Sequence, residues 1–69
     1  MPNYIINTRK TDGVYNEVHT TDCAYRPQID HQDDLGWHVN GVDAVRFAQQ
    51  NGYPAADGCQ HCSPEAHRG

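Results

Sequence analysis

Three cysteines and five histidines stand out in a chain of 69 residues, and four of these eight fall into two short pairs, His19-Thr-Thr-Asp-Cys23 and Cys59-Gln-His-Cys62. Pairs with two or three intervening residues let two donors from one bend of chain reach a single ion, and two such pairs from distant segments complete a tetrahedron. Thirty-five residues lie between the pairs, so one ion would close a long loop and tie an early segment to the C-terminal region. Soft thiolates favour zinc, with Zn–S distances of about 2.3 Å, and a shell closed by four protein donors is the structural pattern. The expected ligands are therefore His19, Cys23, Cys59 and Cys62. His67, with four residues between it and Cys62, is the alternative fourth donor, and the short-pair spacing favours His19. His61 sits between two ligands and is expected to point away from the ion. His31, in a polar loop, and His38, on a strand, are expected to be ordinary solvated or half-buried side chains.

Other uses of cysteine fit less well. Three thiols cannot all pair within one chain, and the first 25 residues lack a basic start followed by an apolar run, so a reducing, cytoplasmic setting is expected. A thioredoxin-like Cys-x-x-Cys wants a surrounding βαβ unit that this length cannot supply. A zinc deaminase needs His-x-Glu and Pro-Cys-x-x-Cys with an open metal position, whereas His19 is followed by Thr20 and Thr21, and Gly58 precedes Cys59. No scaffold of this size forms the pocket of a cysteine protease, so the chain is not expected to be an enzyme.

Composition explains why a metal would matter. A domain of this length buries only about 60% of the surface that its unfolded chain exposes. Leu, Ile, Val and Phe supply just 10 of the 69 residues, and the formal net charge is −4, which places the chain near the disordered class unless something other than a core holds it. Six aromatics, Tyr4, Tyr15, Tyr25, Trp37, Phe47 and Tyr53, are spread along the whole length. No stretch approaches 18 apolar residues, so no membrane span is expected. The acidic balance argues against an electrostatic grip on nucleic acid, since Arg9, Lys10, Arg26, Arg46 and Arg68 form no run.

The elements that must position the donors are short. One domain over residues 1–69 is expected, of α+β class: a hairpin or three-stranded sheet, one main helix, and a C-terminal Cys-x-x-Cys knuckle. Asn3–Thr8 is β-prone and Asp12-Gly13 marks a turn. In Val14–His19, alternation sets Val14 and Val18 on one face and Tyr15, Glu17 and His19 on the other, so the second strand ends on a histidine. Arg26–Asp34 is polar and acidic and reads as a loop, and Leu35–Val39 as a third strand carrying Trp37 and Val39 on one side. The helix is expected over Gly41–Asn51, with Asn40 as its cap, Asp43 in the first turn, Gly52 as a left-handed stop and an apolar stripe of Ala44, Val45, Phe47 and Ala48. Beyond Pro54 the chain turns into the Cys59–Cys62 knuckle, and Ser63 is placed to cap a last helical turn beginning at Pro64.

The order His19-x3-Cys23, then strand and helix, then Asp57-Gly58-Cys59-x-x-Cys62, resembles the zinc-binding domain of the Ada alkyl-phosphotriester repair methyltransferase and its small stand-alone relatives, over Val18 to Ser63. The resemblance implies a small mixed α/β fold around one zinc. In that family four thiolates hold the metal, and the first of them takes a methyl group from DNA phosphotriesters. Here His19 stands at that first position, as in the small His-x3-Cys members of the family, so the resemblance carries over the fold and the metal but not the methyl transfer, for a ligating imidazole is not a thiolate nucleophile.

The function expected is a structural zinc-binding module that binds another protein, with Trp37, Tyr25, Tyr53 and the acidic 30–34 segment as contact surface. The alternative is a nucleic-acid module by analogy with the Ada domain, using Arg9, Lys10, Arg26 and Arg46 on phosphates. Three thiolates with Zn²⁺ would add about −1 to an already acidic chain, which disfavours that alternative.

Overall fold

A computed structural model describes residues 3–10 and 13–67. Its four strands are β1 (Asn3–Asn7), β2 (Asn16–Thr20), β3 (Gln32–Trp37) and β4 (Ala56–Gly58), with helix α1 (Gly41–Gln50) between β3 and β4 and short 3-10 turns at Ile29–His31 and Pro64–Ala66. The sheet order is β3-β1-β2-β4. β1 pairs antiparallel with β2 and with β3, while β2 and β4 run parallel. This is a small α+β domain, with one strand more than the sequence suggests.

β1 and β2 form the expected hairpin in the register Ile5↔His19 and Ile6↔Val18. Because strand faces alternate, Ile6 and Val18 share one face and Ile5 and His19 the other. The first face carries the core: Tyr4, Ile6, Val18 and Leu35 pack with Ala44, Val45 and Ala48 of α1, with Ala56 and with Ala66. Four alanines keep this core thin, which brings the helix close to the sheet. Of the ten Leu, Ile, Val and Phe residues, Val14, Ile29, Val39 and Phe47 are exposed, and Ile29 is 85% accessible. The scarcity of large apolar residues is thus compounded by their placement.

α1 forms where the capping chemistry put it. The Asn40 side chain accepts the Asp43 backbone N–H at 2.9 Å, and Gly52, at φ +103, lets Tyr53 N–H return to Ala48 C=O at 3.0 Å. Phe47 departs from the expected apolar stripe. It is exposed and lies 5.0 Å, ring to ring, from His38. His38 is itself buried, with Nδ1 2.8 Å from Asp43 and Nε2 2.8 Å from the Leu35 carbonyl, so it fastens the end of β3 to the start of the helix.

Two stretches differ from the sequence reading. Val14 precedes β2 and is exposed. The acidic Gln32–Asp34 segment is strand, because Asn7, Ile6 and Ile5 offer it backbone partners while both aspartates stay exposed at the sheet edge. An irregularity opposite Tyr4 and Ile5 leaves Leu35 unpaired and directs it into the core, with Gly36 at φ +79. Trp37 is therefore half-exposed at the strand end. Of the predicted Asp12-Gly13 turn, Gly13 has φ +79 and Asp12 lies outside the described residues.

Candidate metal centre

The parallel pairing of β2 with β4 creates the site. Two parallel strands end on the same side of a sheet, so His19 near the end of β2 and Cys59 just after β4 are brought together across the register Val18↔Gly58. The Cys59 N–H extends the ladder to Val18 C=O at 2.9 Å. Turns then carry the chain from each strand end to the second donor of each pair. The candidate donor atoms of His19, Cys23, Cys59 and Cys62 all lie within 4.8 Å of one another, and the first three residues are buried. All three cysteines are free thiols.

The two pairs are built alike. The Tyr25 N–H points to Cys23 Sγ at 3.4 Å, and the His61 N–H points to Cys59 Sγ at 3.4 Å. In both, the residue two beyond the cysteine turns its amide back on the sulfur, which offsets charge on a thiolate. The rings of those same residues, Tyr25 and His61, stack with centroids 4.0 Å apart. A third amide crosses between the pairs, from Thr20 N–H to Cys62 Sγ at 3.3 Å.

The second pair is fixed by the fold behind it. Ser63 N–H bonds Cys59 C=O at 2.8 Å and Ser63 is fully buried. A Cβ at Gly58 would stand 2.7 Å from Ser63 O and 2.8 Å from the Ala66 carbonyl carbon, so only glycine fits between β4 and the last turn. The Glu65 carboxylate accepts the Gly41 N–H at 2.8 Å, tying that turn to the start of α1.

Burial is the largest influence on the ionisation of three of the four donors. Burial pushes the Cys23 thiol up to about 12, and the neighbouring Cys62 and Cys59 sulfurs add to it. Burial would also raise Cys62, but the Thr20 amide with hydrogen bonds from Cys23, Ser63 and Cys59 outweighs it and lowers that thiol. Burial lowers the basicity of His19 and so favours the neutral imidazole, the form that ligates a metal. Its Nδ1 lies 3.9 Å from Cys62 Sγ. Its Nε2, by contrast, is a buried polar atom without a hydrogen-bond partner.

The remaining histidines lie outside the cluster. His67 Nδ1 is 3.0 Å from the Gly58 carbonyl and 3.5 Å from Asp57, so its ring is engaged behind the knuckle. His61 faces outward against Tyr25, and His31 is half-buried near the start of β3. The Thr20 amide and the Tyr25–His61 stack have no signature in the residue spacing. Among the described residues no helix is long and apolar enough to cross a membrane. No family model matches this chain, and no curated protein or solved structure matches it significantly.

Proposed function

We propose that this chain is a structural zinc module, held together by His19, Cys23, Cys59 and Cys62, that docks onto another protein and has no catalytic role of its own. The observation that carries the reading is the convergence of one imidazole and three thiols within 4.8 Å from two distant segments. Three sulfurs and one nitrogen match zinc in both number and softness. Four protein donors leave no position for a water or substrate, which is the structural use of the metal rather than the hydrolytic one. The order of the donors supports kinship with the Ada zinc domain in its His-x3-Cys form, in which the metal is retained and the nucleophilic first thiolate is not.

Trp37, Tyr25, Asp30, Asp33 and Asp34 are exposed, as contact residues for a protein partner must be, whereas Tyr53 is half-buried against the core with its hydroxyl donating to Asp33 at 3.0 Å and leaves the expected contact set. Mass measurement of the reduced protein under native conditions is expected to give one zinc per chain. Chelation is expected to collapse its amide dispersion, since the thin core leaves metal binding, worth about 10 kcal/mol in small zinc domains, as the main stabilising term. A reduced protein that holds its native spectrum in chelator and carries no metal would sink the reading.

A further inference from the structure

We propose that Glu17 is the positioning residue of the metal site: its carboxylate accepts the Nε2–H of His19 and thereby commits the imidazole to ligation through Nδ1. The inference rests on the zinc reading above and deepens it.

An imidazole has one lone pair to give to a metal, and the proton it keeps sits on the other nitrogen. In this site the two nitrogens are already distinguished. Nδ1 faces the sulfurs, 3.9 Å from Cys62 Sγ. Nε2 faces away from them, toward Glu17 Oε1 at 3.5 Å. His19 is fully buried, and its Nε2 is the one buried side-chain nitrogen or oxygen among the described residues that lacks a partner. A buried N–H with no acceptor is unfavourable, so ligation through Nδ1 creates a demand for an acceptor at Nε2.

Glu17 is placed to meet that demand. It stands two residues before His19 on β2, and alternation puts both on the same face of the sheet. The separation of 3.5 Å is longer than a formed N–H···O bond. The Glu17 side chain is one-third exposed and has the rotational freedom to close the gap while its second oxygen stays in water. A carboxylate that holds the outer nitrogen of a ligating histidine fixes the ring's orientation and tautomer and strengthens it as a donor, and loss of such a partner weakens metal binding about 10- to 100-fold. Ligation through Nε2 would require the ring to turn that nitrogen toward the sulfurs, away from the carboxylate it now faces.

Zinc-loaded protein labelled with ¹⁵N at histidine reads the tautomer directly. The expected spectrum shows His19 metal-bound at Nδ1 and protonated at Nε2, with the Nε2 proton protected from exchange. Competition against a chromogenic chelator is expected to show zinc bound about 10- to 100-fold more weakly by Glu17→Ala. Glu17→Gln, which keeps an acceptor oxygen without the charge, is expected to retain the tautomer and lose less affinity. Ligation of the wild-type chain through Nε2 overturns the proposal, even if Glu17→Ala does not fold. So does a Glu17→Ala protein that binds one zinc within twofold of wild type with an unchanged Nε2 proton; the zinc site itself then stands. A wild-type chain that takes up no zinc overturns the site and this inference together.

Discussion

The two halves of the candidate centre share a local design but differ in what holds them. Cys59 and Cys62 belong to the folded body: Cys59 continues the β2–β4 ladder, Ser63 is fully buried, and Gly58 admits nothing larger. Cys23 sits instead in a segment whose neighbours Thr21, Asp22, Ala24, Tyr25 and Arg26 are all exposed. It is held by local hydrogen bonds, from Cys23 N–H to Thr20 C=O at 3.1 Å, from the Arg26 amide and guanidinium to Cys23 C=O at 3.2 and 2.8 Å and from Tyr25 N–H to Cys23 Sγ at 3.4 Å, together with Thr21 N–H on Asn3 C=O at 3.1 Å and the Tyr25–His61 stack. One half is therefore prepared by packing of the core and the other set by local hydrogen bonds, so on the zinc reading the second is the half that an ion would stabilise more. His19 belongs to the prepared side, since it lies in β2 opposite Ile5.

That contrast can be broken most forcefully at the cysteines. Cys59→Ser is expected to abolish both zinc uptake and the native amide dispersion, because the metal term of about 10 kcal/mol is comparable to the whole stability of a small domain. Cys23→Ser should lose zinc affinity too, yet leave residual exchange protection at Val18, Cys59 and Ser63. Equal loss of protection in the two variants would erase the distinction between the halves. His19→Ala is expected to cost far more melting temperature than His67→Ala, whose hydrogen bond to Gly58 is worth about 1 kcal/mol; the reverse ranking would move the fourth donor to the C-terminal side.

Gly58→Ala tests the prepared half without touching a ligand. Its new methyl group would meet backbone on two sides, and a destabilisation of about 1–3 kcal/mol is expected in denaturant melts. Acid is the next lever. The unfolded chain protonates His19 below about 6.5, whereas burial lowers this pKa in the fold. The unfolded state then binds the extra proton, so stability falls as pH drops below that value. Zinc uptake must also displace the proton that burial holds on Cys23 up to about 12, so affinity measured by chelator competition should rise with pH between 5.5 and 7.5. The smallest effect is expected at Tyr25→Ala, which removes the stack on His61 that joins the two halves for about 0.5–1.5 kcal/mol and should weaken zinc retention slightly.

The parts of the molecule legible in the sequence are those whose signals are local. Asn40, Asp43 and Gly52 announce α1 because capping and left-handed stops are decided within a few residues, and the donor pairs are visible because ligand spacing is local too. β4 was not legible. Ala56-Asp57-Gly58 has no alternation long enough to read and carries a turn-like Asp-Gly, yet it is a buried strand because β2 offers it a free edge and Ala66 covers it. The strand at Gln32–Asp34 was hidden for a related reason: backbone pairing with β1 overrides side chains that favour loops. Phe47 reads as core by type and spacing, but only Ala44, Val45 and Ala48 of the expected stripe are buried, and Phe47 lies exposed against His38. Glu17 lies on the His19 face by simple alternation, and only the burial of that ring gives the adjacency a meaning.

The side-by-side alignment of β2 and β4 also bears on how the domain is made. A ribosome delivers His19 and Cys23 early, but the strand that brings them their partners, and the partners themselves, come only after Pro54. A chain arrested at that point holds half of the candidate donor set and an unfilled sheet edge. Acquisition of structure is thus expected as a single late event, once the final knuckle has been made.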